Sequence, residues 1–531
     1  MNLPLLALLL AVGVVAFPES SLRRVSGLLG DPDSVLKLKD ANTTTNKALH
    51  MATIVKIWKR FRELRGKILR TLVLTPKQRT AFAKKLKTWE RLAGEHMSSA
   101  GNSIDEINKK SGIGRILFQG DVLLTKAQAE RIADDIENDQ GSRMKRQAFR
   151  DKHYPQTIWS KGVYYYFDFN TNPDRIRVHK GDGCWSQLGR VGGQQDLSLG
   201  NNCETVGIAA HEIGHSLGLF HMHARYDRDN FITVNAENID PEWIEQYAKE
   251  TRLTNDNYGI TYDYGGIMQY DVMSSSRNGR PTMLPHDMGY VETLGSGIIS
   301  FYELFMINKH YGCLARCSGR PNLCMNRGFP NPRNCSKCVC PSGYGGDHCN
   351  QKPSGCGTVL QASSTPKTFT DTIGSNRMAE REDYKFCYYW IEAPLGSLIE
   401  VKIKSFSGGL FDFGCTFAGV EIKTQKDQRR TGYRFCSHTD AGRTLVSKSN
   451  RVPIITYNRW KRSTTVIEYR TVGGSFTTPQ PSSTTTHPPN PATCMDKPSC
   501  PARIIWDFCE NAAFSVFIKR IICAKSCGFC E

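Results

Sequence analysis

The distribution of cysteine constrains the fold of this chain more than any other feature of its sequence. The 531 residues include 19 cysteines, none of which precedes Cys184, and sixteen of them lie between Cys317 and Cys530. Dense cysteine of this kind is typical of exported proteins, in which the thiols pair as disulfides. Because an odd number cannot pair completely, at least one cysteine is left over. The sequence therefore predicts a C-terminal half built from small disulfide-bonded modules.

The N-terminus also predicts export. The apolar run from Leu3 to Phe17 is too short to span a bilayer, and the small residues Val14 and Ala16 precede the expected cut. We therefore assign residues 1–16 to a signal peptide, with an uncleaved anchor as the alternative. No later stretch is long and apolar enough for a membrane helix. The glycosylation sequons at Asn42 and Asn334 agree with a secreted, extracellular protein.

The formal net charge of +18 raises the question of a nucleic-acid partner. Much of that charge is local, because residues 47–91 carry fourteen Lys and Arg against two Glu, a balance of 14 − 2 = +12. Apolar residues recur in this stretch at helical spacing, among them Ile54, Ile57 and Trp58. The basic residues are therefore interpreted as a solvated helix face, and no nucleic-acid partner is expected.

A basic cluster, Arg143-Met-Lys-Arg146, separates this region from the next. An exposed cluster of this type suits cleavage after Arg146 by a furin-type convertase, although a basic surface loop is the alternative. Residues 17–146 would then be a propeptide. Residues 147–313 mix strand-like and helical patterns, which predicts an α+β domain. The expected strands and helices are Val163–Phe169, Ile176–His179, Cys203–Leu219 and Phe301–Lys309.

The sequence HEIGHSLGLFH over residues 211–221 predicts a metal site. His211 and His215, four residues apart on a helix, share one face and offer two imidazoles to one metal ion. Gly218 allows the helix to end, so that His221 arrives as a third ligand. Glu212 lies beside the first ligand and reaches water rather than the metal. Three neutral nitrogens leave one zinc position open, which is typical of a catalytic site; a core helix with satisfied histidines is the alternative.

This motif is the metzincin signature, and the neighbouring residues resemble the astacin family of zinc metalloproteases. The resemblance is carried by five segments of this sequence, namely HMHARYDRD at 221–229, GIMQY at 266–270, GCWS at 183–186, GGQQ at 192–195 and FQGD at 118–121. It implies an astacin-like catalytic fold, a twisted sheet plus the zinc-site helix, with one Zn²⁺ per catalytic domain. It also implies a Cys184–Cys203 disulfide.

The resemblance assigns roles to three further residues. Met268 would form an apolar floor under the zinc site. Tyr270 would be a switchable tyrosine that ligates zinc at rest and stabilises the transition state during catalysis. Asp121 of the propeptide would bind the zinc in the precursor only, displacing water and keeping the enzyme latent. Peptide-bond hydrolysis would proceed without a covalent intermediate, with Glu212 moving the proton.

The sequence departs from the family pattern at several positions. Met222 replaces a glutamate that pairs with the new N-terminus in astacins, and Gly266 and Gln269 replace serine and histidine in the Met-turn. A helix–strand segment with one cysteine is missing near residues 170–174, which leaves Cys313 without a partner. Its loss would uncover one face of the sheet and cost apolar burial. A splice variant or a mis-predicted exon would explain the gap.

The three C-terminal cysteine groups resemble known modules. Residues 317–349 resemble an EGF-like module, 356–470 a CUB β-sandwich and 494–530 a small ShKT module, while 471–493 is a Thr/Ser/Pro-rich linker. The resemblance implies eight pairs: Cys317–Cys335, Cys324–Cys338, Cys340–Cys349, Cys356–Cys387, Cys415–Cys436, Cys494–Cys530, Cys500–Cys523 and Cys509–Cys527. These modules are read either as substrate or matrix adaptors or as disulfide-bonded spacers.

Two functions follow from these features. The first is a secreted zinc metalloendopeptidase, made as a zymogen, that cleaves extracellular proteins, with collagenous matrix as a candidate substrate. The second is a non-catalytic extracellular binding protein that acts through its EGF, CUB and ShKT modules. The intact ligand set and Glu212 favour the first function, whereas the missing segment favours the second.

Overall fold

The computed structural model describes residues 51–93, 103–138, 146–150, 152–166, 173–251, 253–376, 380–473 and 527. The chain divides into two compact units, residues 1–474 and 475–531. The predicted signal peptide, Asn42 and nearly all of the linker and ShKT module, with its three expected disulfides, lie outside the described residues. Within the described ranges, no helix combines the length and apolar character needed to cross a membrane.

The described residues 51–93 and 103–138 form an N-terminal segment that packs on the rest of the first unit. Its elements are α1 (Met51–Leu72), α2 (Pro76–Ala93), α3 (Ile104–Lys110), β1 (Val122–Leu123) and α4 (Lys126–Asn138). On α1, Ile54, Ile57 and Phe61 are buried in one core cluster that continues into the central domain. Lys56 and Arg62 on the other face are exposed. The helical spacing therefore separates an apolar docking face from a solvated basic face.

The central domain, residues 146–313, is built on a five-stranded sheet of order β1-β5-β6-β4-β3. Its strands and helices are β2 (Arg146–Phe149), β3 (Tyr165–Tyr166), β4 (Arg175–His179), β5 (Cys184–Gln187), β6 (Gln194–Leu199), α5 (Val206–Ser216), β7 (Ile232–Val234), β8 (Asn255–Asp256), β9 (Met283–Pro285) and α6 (Phe301–His310). The N-terminal segment supplies the edge strand, since β1 pairs in parallel with β5 at Val122 and Ser186. The N-terminal segment and the central domain thus share one sheet.

The predicted boundaries agree with the observed ones to within one residue for β4 and α6 and differ more at two other elements. Among described residues, the strand expected over 163–169 is limited to Tyr165–Tyr166, and 167–169 lie outside the description. The helix expected over 203–219 spans only Val206–Ser216, because the Thr205 hydroxyl accepts a hydrogen bond from the Ile208 N–H and caps its start. It ends before Gly218, whose φ of +94° favours glycine.

Short 3₁₀ turns connect these elements. They span Gly114–Ile116, Met222–Ala224, Arg228–Asn230, Ala236–Asn238, Pro241–Tyr247, Met288–Tyr290, Cys313–Cys317 and His438–Asp440. The turns at 236–238 and 241–247 lie against the N-terminal segment, through ion pairs from Arg79 and Arg65.

A small disulfide module and a β-sandwich follow the central domain. The module contains β10 (Phe329–Asn331) and β11 (Asn334–Val339). One sheet of the sandwich joins β12 (Val359–Gln361), β14 (Lys385–Glu392), β19 (Arg451–Asn458), β16 (Ala418–Ile422) and β17 (Tyr433–Phe435). The other joins β13 (Lys367–Ile373), β20 (Ser463–Val472), β15 (Leu398–Gly408) and β18 (Thr444–Val446). Buried Ile, Val and Phe side chains of both sheets form its core.

Six disulfides join described cysteines, in the pairs that the family resemblance implies. They are Cys184–Cys203, Cys317–Cys335, Cys324–Cys338, Cys340–Cys349, Cys356–Cys387 and Cys415–Cys436. Within the described part of the chain, Cys313 is free and half-buried. We attribute the lack of a partner to the predicted gap near residues 170–174, of which 170–172 lie outside the described residues.

The β-sandwich is attached to the central domain by buried polar contacts. The Arg434 guanidinium donates to the Ser296 hydroxyl of the central domain and forms an ion pair within the sandwich with Glu421 at 3.1 Å, where both side chains are nearly fully buried. The main-chain N–H of Arg434 donates to the Thr293 hydroxyl of the central domain at 3.0 Å. The sandwich therefore has a defined position beside the central domain.

Candidate metal centre

Helix α5 places His211 and His215 one turn apart on the same face, where both are buried. The helix approaches the chain beneath it closely at Gly214, where a Cβ atom would lie 2.6 Å from the Met268 Sδ. Glycine at this position therefore lets the helix rest on Met268. Met268 is fully buried below the histidines, where the sequence predicted an apolar floor.

The turn after α5 brings His221 back to the same point. The Leu219 N–H donates to the Gly214 carbonyl, and the chain reverses through Gly218. His221 is fully buried, and its Nε2 lies 3.0 Å from the Nε2 of His211. Three imidazoles from two local elements thus converge.

Asp121 of the N-terminal segment completes the cluster. Its Oδ2 lies 3.1 Å from the Nε2 atoms of His211 and His221, and its Oδ1 lies 3.2 Å from the Nε2 of His215. The ligand atoms of the four groups all lie within 4.8 Å of one another. The structure therefore brings together the three histidines and Asp121, which the sequence predicted as zinc ligands.

The hydrogen bonds around the histidines show that this cluster fits a zinc ion. The Nδ1 atoms of His211 and His215 donate to the carbonyl oxygens of Ile267 and Leu219, each at 2.7 Å. Because a carbonyl oxygen only accepts, these rings carry their proton on Nδ1 and point an Nε2 lone pair inward. The Nε2 of His215 has no hydrogen-bond partner although it is buried. Converging, unprotonated nitrogens beside a carboxylate are the donor set that zinc requires.

Glu212 lies beside this cluster and is not part of it. Both of its carboxylate oxygens are buried without a hydrogen-bond partner. Burial, and then the negative charge of Asp121, raise the pKa of Glu212 well above its usual range. A carboxyl group in such a setting is a good acceptor for a proton from water.

Tyr270 closes the other side of the centre. Its hydroxyl donates to the Oδ2 of Asp121 at 2.5 Å, and its ring lies 4.3 Å from the ring of His221. Burial, and then the charge of Asp121, raise the pKa of the Tyr270 hydroxyl well above its usual range. The phenol therefore remains a hydrogen-bond donor.

The two departures from the family pattern around Met268 have a structural explanation. The Met268 N–H donates to the Oε1 of Glu303 at 2.8 Å, and a Cβ atom at Gly266 would lie 2.6 Å from that same oxygen. Glycine thus makes room for the carboxylate. Gln269 accepts a hydrogen bond from the Tyr262 hydroxyl and donates to the Tyr270 carbonyl at 2.8 Å. Both replacements hold the turn in place.

Sequence reasoning missed two buried groups that contact the centre or its neighbours. The Oε1 of Gln119 lies 3.0 Å from the Nδ1 of His221, and its Nε2 donates to the Oε1 of Glu250 at 2.8 Å. Burial raises the pKa of Glu250 to about 8. No motif marks Glu250, which lies 29 residues after His221 in the sequence. Only the fold brings them together.

The remaining predicted site residues lie away from the centre. Asn334 is exposed, and its side-chain oxygen accepts hydrogen bonds from Ser336. Arg146 begins β2, and residues 139–145 before it lie outside the described residues.

A cavity of about 610 Å³ adjoins the centre at His211 and Tyr270 and is lined in part by the β-sandwich, including Phe411. Residues 103–106 of the N-terminal segment also line this cavity.

Comparison with known proteins extends these observations. The family model described as Astacin, a peptidase family, matches residues 142–312. Zinc metalloproteinase nas-31 of Caenorhabditis elegans is 41% identical over 470 residues, which cover 82% of this chain and 76% of that protein. Zinc metalloproteinase nas-32 of the same organism is 34% identical over 406 residues, covering 70% of this chain and 61% of that protein.

Solved structures give weaker matches. The hatching enzyme zinc-protease High choriolytic enzyme 1 of Oryzias latipes is 27% identical with a TM-score of 0.26, covering 38% of this chain and 90% of that one. The CUB1-EGF-CUB2 domains of rat MASP-1 are 12% identical with a TM-score of 0.17, covering 22% of this chain and 42% of that one. Scores this low carry no argument about fold.

Proposed function

The chain belongs to the astacin family and is a zinc metalloendopeptidase, and we propose that it is secreted as an inactive precursor that, once cut, hydrolyses extracellular proteins. The observation that carries this proposal is the convergence of three buried imidazoles on the carboxylate of Asp121. The same convergence, with Glu212 beside it, supports catalysis over the alternative of a non-catalytic binding protein.

His211, His215 and His221 would hold one Zn²⁺ through their Nε2 atoms. When bound, the zinc polarises the scissile carbonyl and acidifies the attacking water. Glu212 takes the proton from that water and then delivers it to the leaving amine, so no covalent intermediate forms. The Tyr270 hydroxyl donates a hydrogen bond to the oxyanion that develops on the former carbonyl oxygen.

Latency follows from the position of Asp121. In the precursor its carboxylate occupies the point where the three imidazoles meet and accepts the hydrogen bond from Tyr270. Substrate and Asp121 therefore compete for the same place. Cleavage after Arg146 by a furin-type convertase would separate the propeptide, residues 17–146, which contains the N-terminal segment, from the catalytic domain.

The new N-terminus would stay with the catalytic domain. Ala148 and Phe149 are already buried in the precursor, and the Phe149 N–H donates to the Gly218 carbonyl at 2.8 Å. Because Met222 cannot pair with a terminal amine, activation would depend on freeing the zinc site from Asp121.

The domains after residue 313 would serve as adaptors outside the cell. We assign residues 317–349 to an EGF-like module, 356–470 to a CUB domain and 494–530 to a ShKT module joined by the linker at 471–493. Glycans at Asn42 and Asn334 would fit an extracellular protein. Collagenous matrix is the candidate substrate class that these adaptors would approach.

The decisive experiment is a Glu212→Gln change in the full chain, followed by cleavage at Arg146. We expect loss of peptide hydrolysis by at least about a thousandfold with zinc content unchanged, because the zinc ligands remain while the proton acceptor is gone. Glu400→Gln on the β-sandwich is the matched control and should retain activity. Hydrolysis that survives both Glu212→Gln and a zinc chelator would refute the mechanism.

A further inference from the structure

Four carboxylates of the central domain face four basic residues of the N-terminal segment. They are Glu237, Asp240, Glu242 and Glu245, all in the stretch that holds the two 3₁₀ turns at 236–247, and we call them the acidic strip. Their partners are Arg79 at 3.6 Å, Lys109 at 2.7 Å, Arg115, and Arg65 at 3.6 Å, in that order. In the precursor, the strip is thus paired with four basic side chains.

For Asp240, one of these carboxylates, the pairing stabilises the charged form. Partial burial opposes the charged form of Asp240, yet the hydrogen bond from Lys109 and the nearby Arg115 lower its pKa. Removal of the N-terminal segment would leave this carboxylate without either cation. A strip of unpaired negative charge is then exposed on the mature enzyme.

An aromatic side chain lies within the strip. Trp243 is buried in the precursor because the N-terminal segment covers it, and a Cβ atom at Gly114 would lie 2.5 Å from its ring. Its indole N–H is buried without a hydrogen-bond partner. After the segment leaves, the strip offers an aromatic surface and an unused donor between its carboxylates. Basic side chains bind well over aromatic rings flanked by acids.

The strip is continuous with the metal centre. Gln246 donates to the Leu117 carbonyl at 2.9 Å and accepts from the Gly120 N–H at 3.0 Å, one residue from Asp121. The stretch of the N-terminal segment that ends at Asp121 therefore passes from the acidic strip to the histidines. Because an extended chain spans about 3.3 Å per residue, a substrate bound at the centre reaches the strip within a few residues.

We propose that the acidic strip and Trp243 form a substrate-binding exosite of the mature enzyme, which selects polypeptides that carry a basic segment close to the cleaved bond. This proposal rests on the proposed endopeptidase function and adds the substrate class. In the precursor, two of its four partners, Arg65 and Arg79, lie in the basic stretch 47–91, which carries fourteen Lys and Arg against two Glu. In the mature enzyme, the negative charge of the strip would be complementary to a basic segment of the substrate in the same way.

The test uses three peptides with one shared cleavable core and a tail rich in Arg, Gln or Glu. They are assayed with mature full-chain enzyme from which mass spectrometry shows that the N-terminal segment has gone. We expect about a tenfold higher kcat/KM for the Arg tail than for the Gln tail, carried by KM, because several exposed ion pairs each contribute modestly. The advantage should shrink in about 1 M salt, which screens such pairs.

The variant E237Q/D240N/E242Q should remove the advantage of the Arg tail and leave cleavage of the Gln-tailed peptide unchanged. The matched control, E392Q/E400Q/E468Q on the β-sandwich, makes the same change of net charge and should keep the advantage. Glu245 is left unchanged because it is buried, which protects the fold. The salt experiment on the wild-type enzyme needs no variant, so a misfolded triple variant does not block the test.

Each other outcome has one meaning. Equal cleavage of all three tails would overturn the exosite while leaving the endopeptidase function intact. An Arg-tail advantage that survives in the triple variant would overturn the assignment to the strip. Failure to cleave any peptide would instead contradict the proposed function. Retention of the cut N-terminal segment on the mature enzyme at physiological salt would assign the strip to autoinhibition and overturn its role in substrate binding.

Discussion

The sharpest prediction concerns the charge of Asp121 in the precursor. An Asp121→Asn change keeps the size and shape of the side chain but removes the negative charge that faces three imidazoles and the Tyr270 hydroxyl. The amide also presents N–H groups, which cannot ligate a cation. We therefore expect the uncut precursor to lose its latency while its N-terminal segment still folds.

The magnitude follows from the contacts that are lost. Hydrogen bonds and close contacts to a charged group contribute about 1.5–3 kcal/mol each. Because the Nε2 lone pairs give the carboxylate no hydrogen bond of their own, we count its hydrogen bond from Tyr270 and its attraction to the zinc ion that the imidazoles would hold, or about 3–6 kcal/mol in total. Since about 1.4 kcal/mol corresponds to a tenfold change, the fraction of open precursor should rise at least about a hundredfold.

The assay is hydrolysis of a fluorogenic peptide by a precursor that also carries Arg146→Ala, so that cleavage cannot activate it. Asp105→Asn is the matched control, because Asp105 is a buried carboxyl of the same segment whose pKa is raised by burial. Its loss of charge should change basal activity little. A zinc-loaded Asp121→Asn precursor that is as latent as the wild type would refute the role given to Asp121.

Two further predictions concern stability. Arg434→Ala leaves the buried carboxylate of Glu421 unpaired, so urea should unfold the β-sandwich with a loss of about 3–5 kcal/mol, whereas replacing both residues by apolar ones should cost less. Burial raises the pKa of Glu250 to about 8, so the folded precursor holds this proton more tightly than the unfolded chain does. The stability that this proton contributes is greatest below about pH 4.5 and should fall as the pH rises towards 8. In thermal unfolding, Glu250→Gln should flatten this dependence; an unchanged slope would contradict the burial argument.

The parts of the site that the sequence predicted are those fixed by local geometry. His211 and His215 share a helix face because of the 3.6-residue period, and Gly218 brings His221 back within one turn. Asp121 lies ninety residues before the first histidine and is identified in the sequence only by its resemblance to a propeptide motif. Helical periodicity relates residues a few positions apart, so it gives no information about a contact between residues ninety positions apart.

The parts that the sequence did not predict depend on tertiary contacts between ordinary residues. Glu250 and Glu303 lie in no motif, and the resemblance assigns no role to Gln119 although it lies in the FQGD segment. Each matters because packing buries it beside the centre or beneath it. The acidic strip is ordinary as a sequence, since acids at the ends of short turns usually face solvent. The acidic strip can be recognised only in the structure, where four basic residues of the N-terminal segment pair with it.

The changes at Gly266 and Gln269 show why a departure from a motif need not be a loss. A serine side chain at 266 would meet the Glu303 carboxylate, which already holds the Met268 N–H, so glycine and Glu303 fit each other as a pair. Gln269 likewise supplies hydrogen bonds to Tyr262 and to the main chain of Tyr270. Because the turn orients the Tyr270 hydroxyl, these two residues act on the metal centre through position alone. A sequence motif lists the side chains that are usual at each position. A different set of side chains can maintain the same geometry.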